Sequence, residues 1–322
     1  MTSSQSTKHN ILVTGGAGFL GSCLVDRLSN CYQKVVVVDN LSVGKKENLS
    51  QKKNVIFYKK SITDVKALDF IFRQENITDV IHLAAIHYIP YCNEHVGEVL
   101  ATNVMGTGNI LAQMQKHQVK RFIFASSAAV YQPNKSAHSE SDPLEPVDIY
   151  GVSKLVCENL IGNFSKTYQL QSTILRFFNI YGDGDLVPHL IPELIRQAYD
   201  GNTIKLGRLD SMRDYIHKED VAQAVLDCFK NSNSVGKTYN VGSQNAISVK
   251  QVFDYINDKF GNSLKIEIEQ SRKRGADASV LLSDTSKIRQ EIGWSPKNVL
   301  KSYINNLPID SGKKKNNPTK KH

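Results

Sequence analysis

Tyr150 and Lys154 stand four residues apart, a spacing that puts a phenol and an ammonium on one face of a helix. A free tyrosine has a pKa near ~10 and is a poor base at neutral pH. A cation beside it favours the phenolate and makes it a usable proton acceptor. Alone, Tyr-x-x-x-Lys also describes many surface helix pairs. Here it follows the apolar run RFIFA, which ends in Ser126-Ser127. A serine at that point can hydrogen-bond the same substrate oxygen as the tyrosine, so the expected chemistry is proton transfer at a hydroxyl.

A second constellation lies near the start, where Ile11–Thr14 runs into Gly15-Gly16-Ala17-Gly18-Phe19-Leu20-Gly21. Gly15 permits a tight turn, Gly18 lets backbone approach a pyrophosphate, and Gly21 lets the following helix pack on the strand. The helix N-terminus then turns its free N–H groups toward the phosphates. Asp39 closes the second apolar run, VVVVD, where an acid bonds the adenosine ribose and repels a 2′-phosphate. The expected cofactor is NAD rather than NADP. Its positively charged nicotinamide beside Tyr150 would lower the phenol's pKa further.

These residues need a scaffold. Strand-like runs at Asn10–Thr14, Val35–Asp39, Val55–Tyr58, Val80–Ala84, Arg121–Ser126 and Ser172–Phe178 alternate with helical patterns near Phe19–Ser29, Val65–Gln74, Val96–His117 and Tyr150–Tyr168. That alternation predicts an α/β fold: a Rossmann-type doubly wound parallel sheet, buried on both faces. Beyond about Ile180, glycine and proline become frequent, and short strands (Lys205–Leu206, Thr238–Asn240, Lys265–Glu269) mix with helices. The expected organisation is a flexible N-terminus over 1–9 and an NAD-binding Rossmann domain over 10–180. A smaller C-terminal α/β substrate-binding lobe follows over 181–308, with segments such as Asp220–Lys230 returning to the first lobe. Residues 309–322 read as a basic disordered tail.

Composition narrows the function classes. The formal net charge is +9, and Lys313, Lys314, Lys315, Lys320 and Lys321 account for much of it. No basic stripe with interleaved aromatics suggests nucleic-acid binding. No stretch approaches the ~20 apolar residues of a membrane span, and the first ten residues hold no apolar signal region. The cysteines at 23, 31, 92, 157 and 228 are scattered and odd in number, which points to reduced thiols and a cytoplasmic location. His82, His87, His95 and His217 lack metal-ligand spacing, so no metal is expected. Gly44-Lys45 lacks the spacing of a phosphate-binding P-loop.

TGGAGFLGS (14–22), VVVVDNLSVG (35–44), HLAA (82–85), NVMGT (103–107), FASSAAVY (124–131), YGVSK (150–154), RFFNIYG (176–182), RDYIHKEDVAQA (213–224) and GWSP (293–296) occur in this order. Together they resemble the extended short-chain dehydrogenase/reductase family, in its NAD-dependent sugar-nucleotide epimerase/dehydratase branch, over roughly residues 10–300. The resemblance implies that Gly15, Gly18, Phe19 and Leu20 contact the pyrophosphate and Asp39 and Asn40 the ribose. It puts Ser61 and Ile62 beside the adenine, and Leu83, Ala84, Ala85, His87, Asn103 and Phe177 around the cofactor. Tyr150, Lys154 and Ser127 are the implied catalytic residues, with Lys154 also holding the nicotinamide ribose. The implied substrate contacts, besides Ser127 and Tyr150, are Asn179, His189, Arg213, Arg274 and Asp277. The partner would be a nucleotide sugar, with a UDP-sugar favoured, and relatives commonly form homodimers.

Members of the branch begin by oxidising a sugar hydroxyl. Dehydratases and decarboxylases place an acid just after the catalytic serine or threonine; here Ala128 and Ala129 stand there and can transfer no proton. The reading is therefore C4 epimerisation of a UDP-hexose or UDP-N-acetylhexosamine. The alternatives are a dehydratase, a 4-reductase, or a non-catalytic NAD-binding protein. This chain departs from the pattern in several places. His87 replaces a lysine, Ser61 an acid and Gln132 a glycine, and His189 stands where an amide is common. Leu281 falls where room for an N-acetyl group is set. His87 with Cys92 forms a candidate extra acid/base pair, against a packing role for that segment.

Overall fold

The computed structural model of the chain describes residues 7–270 and 280–308. Its first half comprises β1 (Thr7–Thr14), α1 (Phe19–Ser29), β2 (Tyr32–Asp39), β3 (Val55–Lys59), α2 (Val65–Glu75), β4 (Asp79–His82), α3 (Ile89–Glu94), α4 (Val96–Val99), α5 (Gly106–Lys116), β5 (Arg121–Ser127), β6 (Ala137–His138) and α6 (Ile149–Tyr168). There follow β7 (Gln171–Phe177), β8 (Asn179–Tyr181), α7 (Leu190–Asp200), β9 (Thr203–Leu206), β10 (Met212–His217), α8 (Lys218–Lys230), β11 (Lys237–Val241), β12 (Ala246–Ser248), α9 (Val249–Lys259), β13 (Lys265–Ile268), β14 (Val280–Ser283), α10 (Ser286–Ile292) and α11 (Leu300–Asn305).

Seven parallel strands form the main sheet in the order β11-β7-β5-β4-β1-β2-β3. The strand order reverses between β1 and β4, and ligands bind at the carboxyl ends beside such a switch point. The runs of Val35–Val38 and Phe122–Phe124 are buried because helices cover both faces of the sheet. One layer packs α1 and α8 on the sheet, with Leu24, Val25, Leu28, Val221, Ala224 and Val225 in its core. The other packs α2, α5 and α6 through Leu68, Phe72, Ile110, Met114, Cys157 and Ile161.

The smaller lobe has its own core between α7, α9 and α11. Its sheet runs β12-β10-β14-β6, with β8 also paired to β10. Some boundaries differ from the sequence reading. β1 starts at Thr7, three residues early, and His9 bonds Asp79 at 2.7 Å. β4 stops at His82, leaving Leu83 and Ala84 outside it. The strand at Thr238–Asn240 belongs to the main sheet, beside β7, and not to the small lobe. Residues 309–322, the basic tail, lie outside the described residues.

Candidate active site

The glycine turn sits at the switch point. Gly15 has φ +69, and a β-carbon there would lie 2.8 Å from the Ala84 amide nitrogen, so the loop after β4 presses directly on it. A β-carbon at Gly21 would meet the Gly15 carbonyl oxygen at 2.1 Å. The third glycine therefore packs the helix against its own loop rather than against the strand. Gly18 is the N-cap of α1; it offers no side-chain cap, and the first turn holds no acid. The first N–H groups of α1 are thus left for an anion, and the cradle fits a dinucleotide diphosphate.

Asp39 is 8% exposed. One of its oxygens accepts from the Ala17 N–H at 3.0 Å and the other from the Leu41 N–H at 2.8 Å. It braces the glycine loop as well as standing at the end of β2. The Ala17 carbonyl is gripped from outside by the Lys45 N–H and the Asn48 amide. Asn40 is exposed, and its side-chain oxygen caps the Ser42 N–H. Ser61 bonds Thr63 beside β3, and Ile62 is buried under Gly106 of α5. Phe19 and Leu20 are half-buried, with the Lys218 ammonium over the Phe19 ring.

At the end of β5, Ser127 caps a short turn by accepting the Ala129 N–H at 3.1 Å, and its hydroxyl also bonds Tyr150. Ser126 points the opposite way, as adjacent strand residues must, and meets Glu158. Phe177 is the lateral partner of Ser127 on β7. Asp148 caps α6 by accepting the Gly151 N–H at 2.8 Å, which fixes the turn carrying Tyr150. A β-carbon at Gly151 would lie 2.2 Å from the Ala129 carbonyl, so this glycine lets α6 approach the Ser127 turn.

Lys154 is buried, donates to the Ala125 carbonyl at 2.6 Å, and has its ammonium 5.8 Å from the Tyr150 ring centre. Burial pulls it down to about 8, against the opposing charges of Cys157 and Glu158. Burial pushes the Tyr150 phenol well above the ordinary tyrosine range, and the Ser127 bond brings it only partly back. The lowering expected from an adjacent ammonium is therefore not produced by the chain's own side chains. The reason is geometric: the lysine faces the strand carbonyl.

The wall after β4 is built from Leu83, Ala84 and Ala85, all half-buried. His82 behind it is structural. Thr107 donates to the Asn103 carbonyl, so His82 Nε2 donates to Thr107 at 3.0 Å and Nδ1 accepts from Thr14 at 2.6 Å. A π-helical turn over Leu100–Met105 brings Asn103 inward. Its amide grips Ile86 N–H and C=O at 2.8 and 2.9 Å and donates to Ser153 at 3.0 Å. Asn103 thus fixes the segment after β4 from behind.

His87 faces His189 across the cleft, ring centres 5.4 Å apart, and His189 bonds Asp185 at 2.7 Å. Burial and the His189 charge hold His87 down at about 4. Cys92 is fully buried, donates to the Ile86 carbonyl, and is pushed up to about 11 by burial. It has no bond to His87, so packing describes it better than acid/base chemistry.

On the substrate side, Asn179 is exposed at the start of β8 and pairs in register with Tyr215. Arg213 on β10 is the lateral neighbour of Leu281 on β14. Leu281 packs near Ala128, Val130, Tyr131 and Phe178. Asp214, fully buried, accepts from Ser243, Gln244 and Ser283 and ties β10 to β14 and to the loop after β11. Arg274 and Asp277 lie outside the described residues. Gly151, Asn48 and Asp214 have no role in the sequence reading; Gly151 inside YGVSK and Asp214 inside RDYIHKEDVAQA carry a local signal there, and Asn48 carries none.

Residues 12–307 match the model of the GDP-mannose 4,6-dehydratase family. A UDP-glucose 4-epimerase of Halalkalibacterium halodurans is 34% identical over 307 residues, covering 89% of this chain and 90% of its own. The structure of UDP-glucose 4-epimerase from Thermotoga maritima with UDP-glucose superposes with a TM-score of 0.85 at 31% identity, over 92% of this chain and 96% of that one. The Thermus thermophilus UDP-glucose 4-epimerase in complex with NAD gives a TM-score of 0.84 at 27% identity, over 92% and 96%.

Proposed function

The chain belongs to the extended short-chain dehydrogenase/reductase family, in its sugar-nucleotide epimerase/dehydratase branch, and from that membership we propose that it is an NAD-dependent 4-epimerase of a UDP-hexose. The observation that carries epimerisation over elimination is the turn after Ser127. Ala128 is buried, and Ala129 presents its carbonyl to Gly151, so neither offers an acid at the carbon beside the reacting one.

The residues present fit NAD: the uncapped α1 N-terminus for the diphosphate, Asp39 and Asn40 for the ribose, and Lys154 for the nicotinamide ribose. When bound, NAD supplies the hydride acceptor and a positive ring beside the phenol. Tyr150 takes the proton from the sugar O4 and returns it, while Ser127 holds that oxygen within reach. Asn179, His189, Arg213 and Arg274 hold the diphosphate, a task suited to guanidinium groups, and Asp277 the nucleotide ribose. Grip on the nucleotide alone leaves the hexose able to present either face.

We also infer a homodimer and a cytoplasmic location. A groove along α6 is lined by Val156, Leu160, Phe164 and Tyr168 among others, and Val152 is also exposed on that helix, a largely apolar surface suited to a second copy. Light scattering should give twice the chain mass, and Val156→Glu should halve it. All five cysteines are free. Among the described residues no helix is long and apolar enough to cross a membrane.

The deciding experiment is product analysis by NMR with UDP-glucose and UDP-GlcNAc. A new 4-epimer without accumulating NADH is the expected result. A keto or unsaturated sugar would replace the epimerase reading with a dehydratase.

A further inference from the structure

Three consecutive residues of β5 hold three successive turns of α6. Ser127 bonds Tyr150, the Ala125 carbonyl takes Lys154, and Ser126 donates to Glu158. The first two contacts are the proton-transfer site. The third has no assigned role, yet it is the most elaborate. Glu158 is 8% exposed and Arg176 4%. Arg176, reaching from β7, meets Glu158 with Nε at 3.0 Å and Nη2 at 2.7 Å, one nitrogen to each carboxylate oxygen. Its remaining nitrogen donates to the Tyr131 hydroxyl at 3.0 Å and the Glu140 carbonyl at 3.1 Å. Tyr131 in turn donates its hydroxyl hydrogen bond to the Asn240 side-chain oxygen on β11 at 2.6 Å.

A buried ion pair is weak evidence for stability, because desolvation offsets its attraction. Its position is more informative. Glu158 lies one turn beyond Lys154 on the same face of α6, and its charge helps keep the lysine protonated. Unbalanced, either partner would push Lys154 in its own direction. Tyr150, Cys92, Cys157, His82 and His87 are the other titratable groups around the ammonium.

We propose that the Glu158–Arg176 pair positions the proton-transfer residues: it anchors the third turn of α6 to the end of β5 and balances the charge beside Lys154. Arg176 acts through Glu158 and Tyr131 and touches no reacting atom.

The test reads Lys154 directly, in the full chain without substrate. Protein carrying 13C at the lysine ε-carbon is titrated by NMR, with the Lys154 signal assigned from Lys154→Arg. Glu158→Gln should move the midpoint down by about half a unit or more. Arg176→Met should move it up, and the double variant should return it to the wild-type value. Midpoints that stay at wild type in the single variants overturn the proposal. So does a double variant displaced as far as a single one, a comparison that survives if one single variant fails to fold.

A kinetic arm rests on the function proposed above. Arg176→Lys keeps the charge and loses the two-pronged grip, so kcat should fall about tenfold with KM nearly unchanged. A wild-type kcat there removes the positioning role. A chain that leaves UDP-sugars unchanged, but whose Lys154 midpoint moves as stated, refutes the epimerase reading and leaves the ion pair's role standing.

Discussion

Lys154 is fastened to the carbonyl of Ala125 at 2.6 Å, not to the phenol that its spacing suggests. The ammonium is thereby an anchor between helix and strand, and the phenol's hydrogen-bond partner is Ser127. Burial keeps Tyr150 protonated until positive charge arrives beside it. In the function proposed above, that charge comes from the nicotinamide ring of NAD.

Tyr150→Phe should fold normally and bind NAD, and should lose at least ~10² in kcat, the usual size of a general-base contribution. NMR of UDP-glucose turnover measures it. Near-normal turnover would remove Tyr150 from the mechanism.

Gly151→Ala should destabilise the chain by about 1–3 kcal/mol, since its β-carbon would overlap the Ala129 carbonyl at 2.2 Å. Activity should fall with it, because the helix must back away from Ser127. Gly162→Ala, on the same helix with open space around it, should instead stabilise by about 0.5–1 kcal/mol. Urea unfolding of the two variants tests the contrast; equal effects would contradict the close approach.

Asp39→Ala removes the acceptor of two backbone N–H groups, at Ala17 and Leu41. Leaving such donors unmet costs about 1–3 kcal/mol, so NAD should bind at least tenfold more weakly by calorimetry. A variant that gains NADP while keeping its NAD affinity would confine Asp39 to ribose selection.

His82 is held down at about 3 by burial, against 6.5 for an ordinary histidine. The unfolded chain takes up this proton as pH falls through 6.5 and the folded one does not, so stability is lost from 6.5 down toward 3. His82 should contribute about 1.4 kcal/mol per pH unit to that slope. His87, down at about 4, adds to it over the narrower interval. Denaturant unfolding of His82→Gln should show a flatter acid limb; an unchanged slope would count against a neutral buried His82.

Features encoded locally were readable before the fold. The glycine turn, the acid closing β2 and the Tyr-x-x-x-Lys helix each depend on a short run, and the structure brings them to the carboxyl end of the main sheet. What escaped was set by contacts between distant segments. Nothing around Asp39 reveals that it bonds Ala17, and nothing near Asn103 reveals that its amide is spent on Ile86 and Ser153. The π turn at Leu100–Met105 hides inside an ordinary helical pattern. Thr238–Asn240 has strand character, but which sheet a strand joins depends on its neighbours. The lysine's orientation needed the position of Ala125.

The main sheet is completed only by β11, and its core also takes Tyr239, Ile288 and Trp294. Trp294 further bonds the Asp220 carbonyl at 3.1 Å, against α8. No cut near residue 180 would therefore release a self-sufficient nucleotide-binding half. On the ribosome the edge beside β7 stays open until Lys237–Val241 has emerged, and the core behind the sheet is completed only when residues near 294 follow. For most of its synthesis the nascent chain has the cofactor turn made but the sheet behind it unfinished, a period in which chaperones would find an unpaired strand to hold.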